Sequence, residues 1–267
     1  MGNDIFRGSG LTSITITRNV SQIGIAPFSA CTQLTEINVD EANPYFSSLD
    51  GVLTDKNRTT IVAYPAGKGK RYIIPDGITK IGTHSFFACP ITYIHTPNSV
   101  KTIELFAFAS CTDLDTIILG NSVDSIEGAA FRINDRLKTI YSMNPIPPAA
   151  HPEAFSSFSP MFFIQCTLHV PVGSLQAYKN AEVWKNFKNI VENDFTGIER
   201  PSPDKAKIFG NKNSIAFRNI EPGTDISIYD TTGKCIKTFA VDGDSEIPLP
   251  SGIYLIKYAG RTIKIIL

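Results

Sequence analysis

Between Ile91 and Ser142 the apolar positions keep one frame. Ile91, Leu114 and Leu137 lie 23 residues apart, and three residues after each come Ile94, Ile117 and Ile140. Val100 and Val123 follow, then Ile103 and Ile126, Phe108 and Phe131, and finally Cys111 and Asn134. Backwards, the frame fits Tyr72, Ile78, Ile81, Phe86 and Cys89, and before them Leu11, Ile14, Val20, Ile23, Phe28, Cys31, Leu34 and Ile37. Repetition at a step of 22 to 23 residues predicts a solenoid, in which each coil buries its apolar side against the next.

Each coil opens with Leu-x-x-Ile and alternating β-branched residues, with no helical period, so each places one short strand in a parallel sheet. Strands are expected at 11–16, 34–39, 69–74, 91–96, 114–119, 137–142 and 165–170. The second coil is longer, and its insert "YFSSLDGVLTDKNRTTIVAYP" carries two alternating segments around Asp55-Lys56-Asn57-Arg58 that predict a β-hairpin. In the sixth coil the prolines of "NPIPPAAHPEAF" suggest a place where the ladder need not be continuous. Phe6 precedes Leu11 by five residues, as Phe86 precedes Ile91, so the opening reads as the second half of a coil. Upstream sequence carrying an export signal is therefore expected.

After the last strand, Ser174 is a plausible N-cap, and Leu175, Tyr178 and Ala181 recur at helical spacing. Trp184, Phe187 and Ile190 make a second apolar stripe. This stretch is expected to be a capping helix over the last coil. From about residue 197 the pattern changes: "GIERPSPDKAK" reads as a linker, and short alternating strands follow, with Thr232-Gly233-Lys234 the clearest hairpin turn. The expectation is a mainly β chain: a solenoid with a parallel sheet and a C-terminal capping helix over 1–196, then a small antiparallel β-sandwich over 197–267.

Charge narrows the function. Lys plus Arg and Asp plus Glu are 25 each, so no global field favours nucleic acid or an anionic membrane. No apolar run reaches the roughly 18 residues that a membrane helix needs. The opening "MGNDIFRGSG" lacks the basic and apolar regions of a signal peptide, so the chain is either cytosolic or without its export signal. Of the five Cys, Cys31, Cys89 and Cys111 share a repeat position with Ser9 and Asn134. Small residues packed inside a coil explain that better than disulfides or a metal.

No catalytic or cofactor signature emerges. His84, His95, His151 and His169 are scattered, and Cys166 and His169, three apart in a strand, point to opposite faces. The glycines of "AGKGK" lack a following Ser/Thr and helix, and the acidic turns at 55–57 and 242–246 lack a calcium loop. No metal and no cofactor are expected. A glycan hydrolase would require two carboxylates about 5–10 Å apart in one cleft, and the outward strand positions supply only Glu36.

Those outward positions are the better candidate. Side chains alternate along a strand, so one row runs Ser13, Glu36, Arg71, Tyr93, Thr116, Thr139 and Thr167, and the next Thr15, Asn38, Ile73, His95, Ile118, Tyr141 and His169. Large amphipathic groups there are not required by the core, and Arg71, Tyr93, His95, Ile118, Tyr141 and His169 are the candidate ligand-binding residues. Two plainer readings stand beside it: β-formers favour strands anyway, or the sandwich folds back over the patch.

Residues 6 to 193 resemble the BspA-like leucine-rich repeat proteins, on "ITKIGTHSFFAC", "VKTIELFAFASC" and the closing "CTLHVPVGSLQAYKNAEVWKNFKNIVE". From about residue 205 the chain is similar to the C-terminal sorting domain of the type IX secretion pathway, on "ISIYDTTGKCIKTF", "LPSGIYLIKY" and "TIKIIL". The resemblances imply an exported bacterial surface or secreted protein, adhesin-like and non-enzymatic, that binds host or microbial protein or glycan and engages secretion machinery through its C-terminal domain. Nucleic acid and membrane insertion are not implied. The alternative is a rigid spacer whose ligand site lies on upstream sequence.

Overall fold

The first unit is built from β1 (Ser13–Ile16), β2 (Glu36–Val39), β3 (Phe46–Leu49), β4 (Val52–Asp55), β5 (Thr60–Ala63), β6 (Arg71–Ile73), β7 (Lys80–Ile81) and β8 (Tyr93–His95). It continues through β9 (Thr102–Ile103), β10 (Thr116–Leu119), β11 (Ser125–Ile126), β12 (Thr139–Ser142), β13 (Ala149–Ala150), helix α1 (Phe162–Gln165), β14 (Thr167–Pro171), helix α2 (Leu175–Asn180) and β15 (Asn189–Asn193). The computed structural model describes residues 1–156, 159, 161–195, 207–211, 213–218, 220, 224–241, 245–258 and 261–267. The chain divides into two compact units, Met1–Asp194 and Phe195–Leu267.

In the first unit the coil frame produces two ladders. One is a six-stranded parallel sheet in the order β15-β14-β12-β10-β8-β6, in which Ile94, Ile117 and Ile140 are register partners. The other has the order β13-β11-β9-β7-β5-β4-β3, and its parallel part pairs Ile61, Ile81, Ile103, Ile126 and Ala150. Strand propensity did not announce this second ladder, because each rung is only two residues long. It reaches into the proline-rich sixth coil and ends there at β13, where the sequence did not require the ladder to be continuous.

Between the ladders a spine of rings fills the core. Tyr64, Phe86, Phe108, Phe131 and Phe155 stack in sequence, with centroid separations of 4.9, 4.9, 5.3 and 5.1 Å. These distances are close to the strand spacing, so one ring per coil fills the available height. Beside the spine runs a column of donors. Cys31 Sγ donates to the Phe6 carbonyl at 2.9 Å, Cys111 Sγ to Phe86 at 3.0 Å, and Asn134 Nδ2 to Phe108 at 2.9 Å. Each ties a ring's backbone to the next coil. The four solenoid thiols are buried and unpaired as disulfides, and burial pushes Cys111 up to about 12. They are structural groups; Cys235, in the second unit, is instead exposed.

The corners carrying Phe28, Phe86, Phe108 and Phe131 have an unusual backbone. Residues two before and two after the phenylalanine are left-handed: Ala26 and Ala30, His84 and Ala88, Phe106 and Ser110, Ala129 and Ile133. The alternation turns three amides toward the next coil. Thus His84, Phe86 and Ala88 donate to the carbonyls of Leu105, Ala107 and Ala109 at 3.2, 2.8 and 3.0 Å.

The insert in the second coil is a three-stranded antiparallel meander, β3-β4-β5. The pair around residues 55–58 matches the hairpin expected from sequence, and a further turn at Asp50-Gly51 joins β3 to β4. That turn takes a strand's place beside β2, where Ile37 N–H donates to the Gly51 carbonyl at 2.7 Å. The outward strip is therefore not one row of seven strands. β1 and β2 form a sheet of their own, and the core divides at the same level. Gly67 closes the gap, donating to Leu34 O at 2.7 Å; a Cβ there would lie 2.7 Å from Gln33 C and 2.8 Å from Thr32 O.

The last coil is capped by Trp184, Tyr178 and Phe187, all buried. Trp184 Nε1 donates to Pro148 O, and Tyr178 Oη to Asn144 O, each at 2.7 Å. The capping helix is shorter than the apolar stripes implied: Trp184 opens a single 3-10 turn, and Ile190 lies in β15. The fragment 189–193 adds a parallel strand because the open sheet edge offers partners that a helix could not use. Ser174 makes no side-chain cap; Glu192 Oε1 accepts from Gly173 and Leu175 N–H instead.

The second unit is a pair of antiparallel sheets. β16 (Lys207–Asn211), β17 (Ser214–Arg218), β18 (Asp225–Tyr229), β19 (Cys235–Ala240), β20 (Ser245–Pro248), β21 (Ile253–Tyr258) and β22 (Arg261–Ile266) form orders β16-β17-β20 and β19-β18-β21-β22. Ile215, Phe217, Ile226, Ile228, Ile256 and Tyr258 lie in their shared core. The β18–β19 turn is held by Asp230 Oδ1, which accepts from the N–H groups of Thr232 and Lys234.

Two substitutions test the spine and the junction. Phe108→Ala should cost roughly 3–5 kcal/mol in denaturant unfolding, and a loss below about 1 kcal/mol would break the assignment of the ring to the core. Gly67→Ala should destabilise by more than the few tenths that a surface substitution costs, because the atoms it meets are backbone; an unchanged midpoint would show that the junction can open.

Candidate functional site

The six-stranded sheet turns its odd positions outward. Register pairs Arg71 with Tyr93, Tyr93 with Thr116, Thr116 with Thr139, Thr139 with Thr167 and Thr167 with Asn189. The second row pairs Ile73, His95, Ile118, Tyr141, His169 and Val191 in turn. The even positions Ile94, Ile117, Ile140 and Leu168 are wholly buried, so strand alternation separates face from core.

Four of the six sequence candidates are half-buried and reach the outer face in two pairs. The Arg71 guanidinium carbon sits 4.0 Å from the Tyr93 ring centroid. Tyr141 and His169 stack at 4.5 Å with an interplanar angle of 18°. His95 and Ile118 do not belong to an exposed cluster: each is only 4% exposed. Both occupy the middle of the row, hemmed by Ile73 and Tyr141 in register. The missed members are Asn189 and Val191 on β15, the latter 45% exposed. The β-branched pair of "NIVE" was a strand signal, masked by the helical spacing of Trp184, Phe187 and Ile190.

The electrostatics are simple. Burial lowers His169 from its usual value, with Asn193 Nδ2 lying 3.5 Å from its Nδ1. His84, at a left-handed corner against Phe106 at 4.9 Å, is also lowered, by burial first and with Asp4 opposing. Thr116 Oγ1 donates to Asp115 at 2.9 Å. Among the described residues no group of three His, Cys, Asp or Glu is placed to hold a metal ion. Cys166 is buried while His169 lies on the face, so the two are separated as strand alternation requires.

Six copies of the BspA type leucine rich repeat region match residues 1–49 and 65–169, more than half of the chain. The chain belongs to the BspA-type leucine-rich repeat family. The interval between the two matched stretches falls on the meander. Among solved structures, a leucine-rich repeat protein from Eubacterium ventriosum is 20% identical with a TM-score of 0.50, the match covering 72% of this chain and 66% of that one. The pneumococcal vaccine antigen PcpA is 19% identical with a TM-score of 0.48, covering 72% and 59%. A leucine rich cell surface protein from Faecalibacterium prausnitzii is 20% identical with a TM-score of 0.42, covering 73% and 52%. The chain thus spans about half to two thirds of the length of these proteins. No curated protein matches it.

The lowered histidines carry a pH dependence. A folded value below the ordinary one of about 6.5 means that the unfolded chain binds the proton first. Stability should be complete above about pH 6.5 and fall as the pH drops through the folded values. Melting temperatures should decline as the pH falls from about 6.5 to 5, and His84→Gln with His169→Gln should flatten that decline; an unaltered slope would assign it to other groups.

Proposed function

We propose that the chain is a non-enzymatic, exported bacterial surface or secreted protein that holds a host or microbial protein or glycan on the outer face of its six-stranded sheet. One observation carries the reading: Tyr93, Tyr141 and His169 project from a face whose side chains the core does not need. Amphipathic rings supply large contact area at small entropic cost, which is why such residues anchor interfaces.

Export is supported by family membership and by the likeness of "ISIYDTTGKCIKTF" and "LPSGIYLIKY" to the type IX sorting domain. Under this reading the second unit engages the secretion machinery. The absence of a catalytic role rests on the chemistry of the face: its twelve outward positions hold no carboxylate to act as acid or base. The rigid-spacer reading gains from the continuous ring spine, which makes each coil lean on its neighbours.

Binding of the full chain to arrayed glycans and purified extracellular proteins tests the assignment. Tyr93→Ala with Tyr141→Ala should leave the melting temperature near wild type and weaken binding by about 2 kcal/mol or more. Equal affinity in the variant would move the weight to the spacer reading. His95 is left out of the variant, because its burial would confuse binding with stability.

A further inference from the structure

We infer that the outer face of the four-stranded sheet in the second unit is a docking surface for a protein segment that combines carboxylates with apolar side chains. The inference stands apart from the ligand face proposed on the solenoid. Its first ground is alternation. Ile226, Ile228, Ile256 and Tyr258 lie in the shared core, so their strand neighbours point outward. An antiparallel sheet with one buried face ordinarily carries polar groups on the other. Here Ile253 and Ile266 are register partners on the outer face, 38% and 68% exposed. Two residues along, Leu255 has Tyr229 on one side and Lys264 on the other. Ile253, Ile266, Leu255 and Tyr229 thus make one apolar patch, and none of the four belongs to the core of the unit.

The second ground is charge. Lys264 is exposed beside Leu255, and Lys257, one row further along, is exposed between Ser227 and Thr262. Neither lysine enters an ion pair or a hydrogen bond through its side chain among the described residues. Asp225 is the one outward carboxylate among the described residues of these strands, and it stands at the end away from the isoleucines. Asp230, next to Tyr229, is taken up by the Thr232 and Lys234 amides of its own turn. An exposed apolar patch bordered by unpaired lysines is complementary to apolar side chains flanked by carboxylates.

The same arrangement selects among occupants. A second copy of this face would bring Lys257 and Lys264 against their own counterparts, and like charges in one interface cost affinity. A lipid surface takes up an apolar face along the whole contact, whereas the rows beyond the patch carry the hydroxyls of Ser227, Thr238 and Thr262. A protein segment places apolar groups at one end and carboxylates in the next rows. Size then sets the strength. Four strands about 4.8 Å apart, with six residues at about 3.4 Å each, give a face of roughly 400 Å². That is half of the about 800 Å² that each partner contributes to a stable interface, so the docking is of the transient class.

The test is an NMR titration of the full chain with three short synthetic peptides, one alternating Asp and Leu, one Lys and Leu, and one Asp and Ser. The expected result is a saturable shift of the Ile253, Leu255, Lys264 and Ile266 amides with the Asp-Leu peptide alone, weakened by salt. Lys257→Glu with Lys264→Glu should weaken that binding by about tenfold or more and transfer the preference to the Lys-Leu peptide. Ile253→Thr with Ile266→Thr should remove it while the amide spectrum of the core is retained. Equal binding of the Lys-Leu peptide, or affinity unmoved by the charge reversal, would overturn the charge assignment. Equal binding of the Asp-Ser peptide would overturn the apolar patch. Phosphatidylglycerol vesicles that bind through the two isoleucines while the peptides stay silent would overturn the protein partner in favour of a lipid surface. Self-association lost in the double Thr variant would overturn it in favour of a second copy. Amides on this face that stay unshifted with every probe would overturn the docking surface itself.

Discussion

The solenoid depends on one repeated contact: a ring stacked on the ring of the previous coil, with a donor in the following turn tied to that ring's carbonyl. Phe86, Phe108 and Phe131 supply the stacking, and Cys111 and Asn134 close the hydrogen bonds to Phe86 and Phe108. The stacking sets the height of a coil and the donor sets its rotation. Both parallel ladders inherit their register from this pair. A residue at the donor position must be small and carry a hydrogen, which explains why thiol, hydroxyl and carboxamide alternate there and why the cysteines need neither a metal nor a disulfide.

That contact also holds a backbone that would not stand alone. A left-handed residue other than glycine costs roughly 1–2 kcal/mol, yet His84, Phe106 and Ile133 adopt it. Such conformations persist where the surroundings over-determine them. At the Phe86, Phe108 and Phe131 corners three amides find carbonyls on the next coil, and the ring between the strained residues is locked in the spine. The corners are thus stabilised by the neighbouring coil, in the one-dimensional manner of repeat proteins.

The interruption between β2 and β6 shows how a repeat absorbs an insertion. The Asp50-Gly51 turn supplies the carbonyl that the missing strand would have offered to Ile37, and Lys68 pairs with Asp50 at 3.2 Å. The ladder on the other side runs on through β5, so the coil stack survives. What changes is the outer face, which becomes one continuous sheet of six strands beginning at Arg71. The candidate residues all fall on that part.

The repeat frame, the inward and outward assignment of strand residues, the ring order and the antiparallel strands of the second unit were determined by the sequence itself. They follow from periods of two and of 22 to 23 residues, which apolar burial enforces locally. Tertiary structure alone decided the left-handed corners, because alanine, phenylalanine and isoleucine carry no signal for that geometry. It also turned 189–193 into a strand: the apolar spacing of Trp184, Phe187 and Ile190 suits a helix, but an open sheet edge with unpaired amides outweighs so weak a preference. Last, it decided which outward residues are available. Alternation places His95 and Tyr141 in the same row, yet the folded chain buries one to 4% and leaves the other half-exposed.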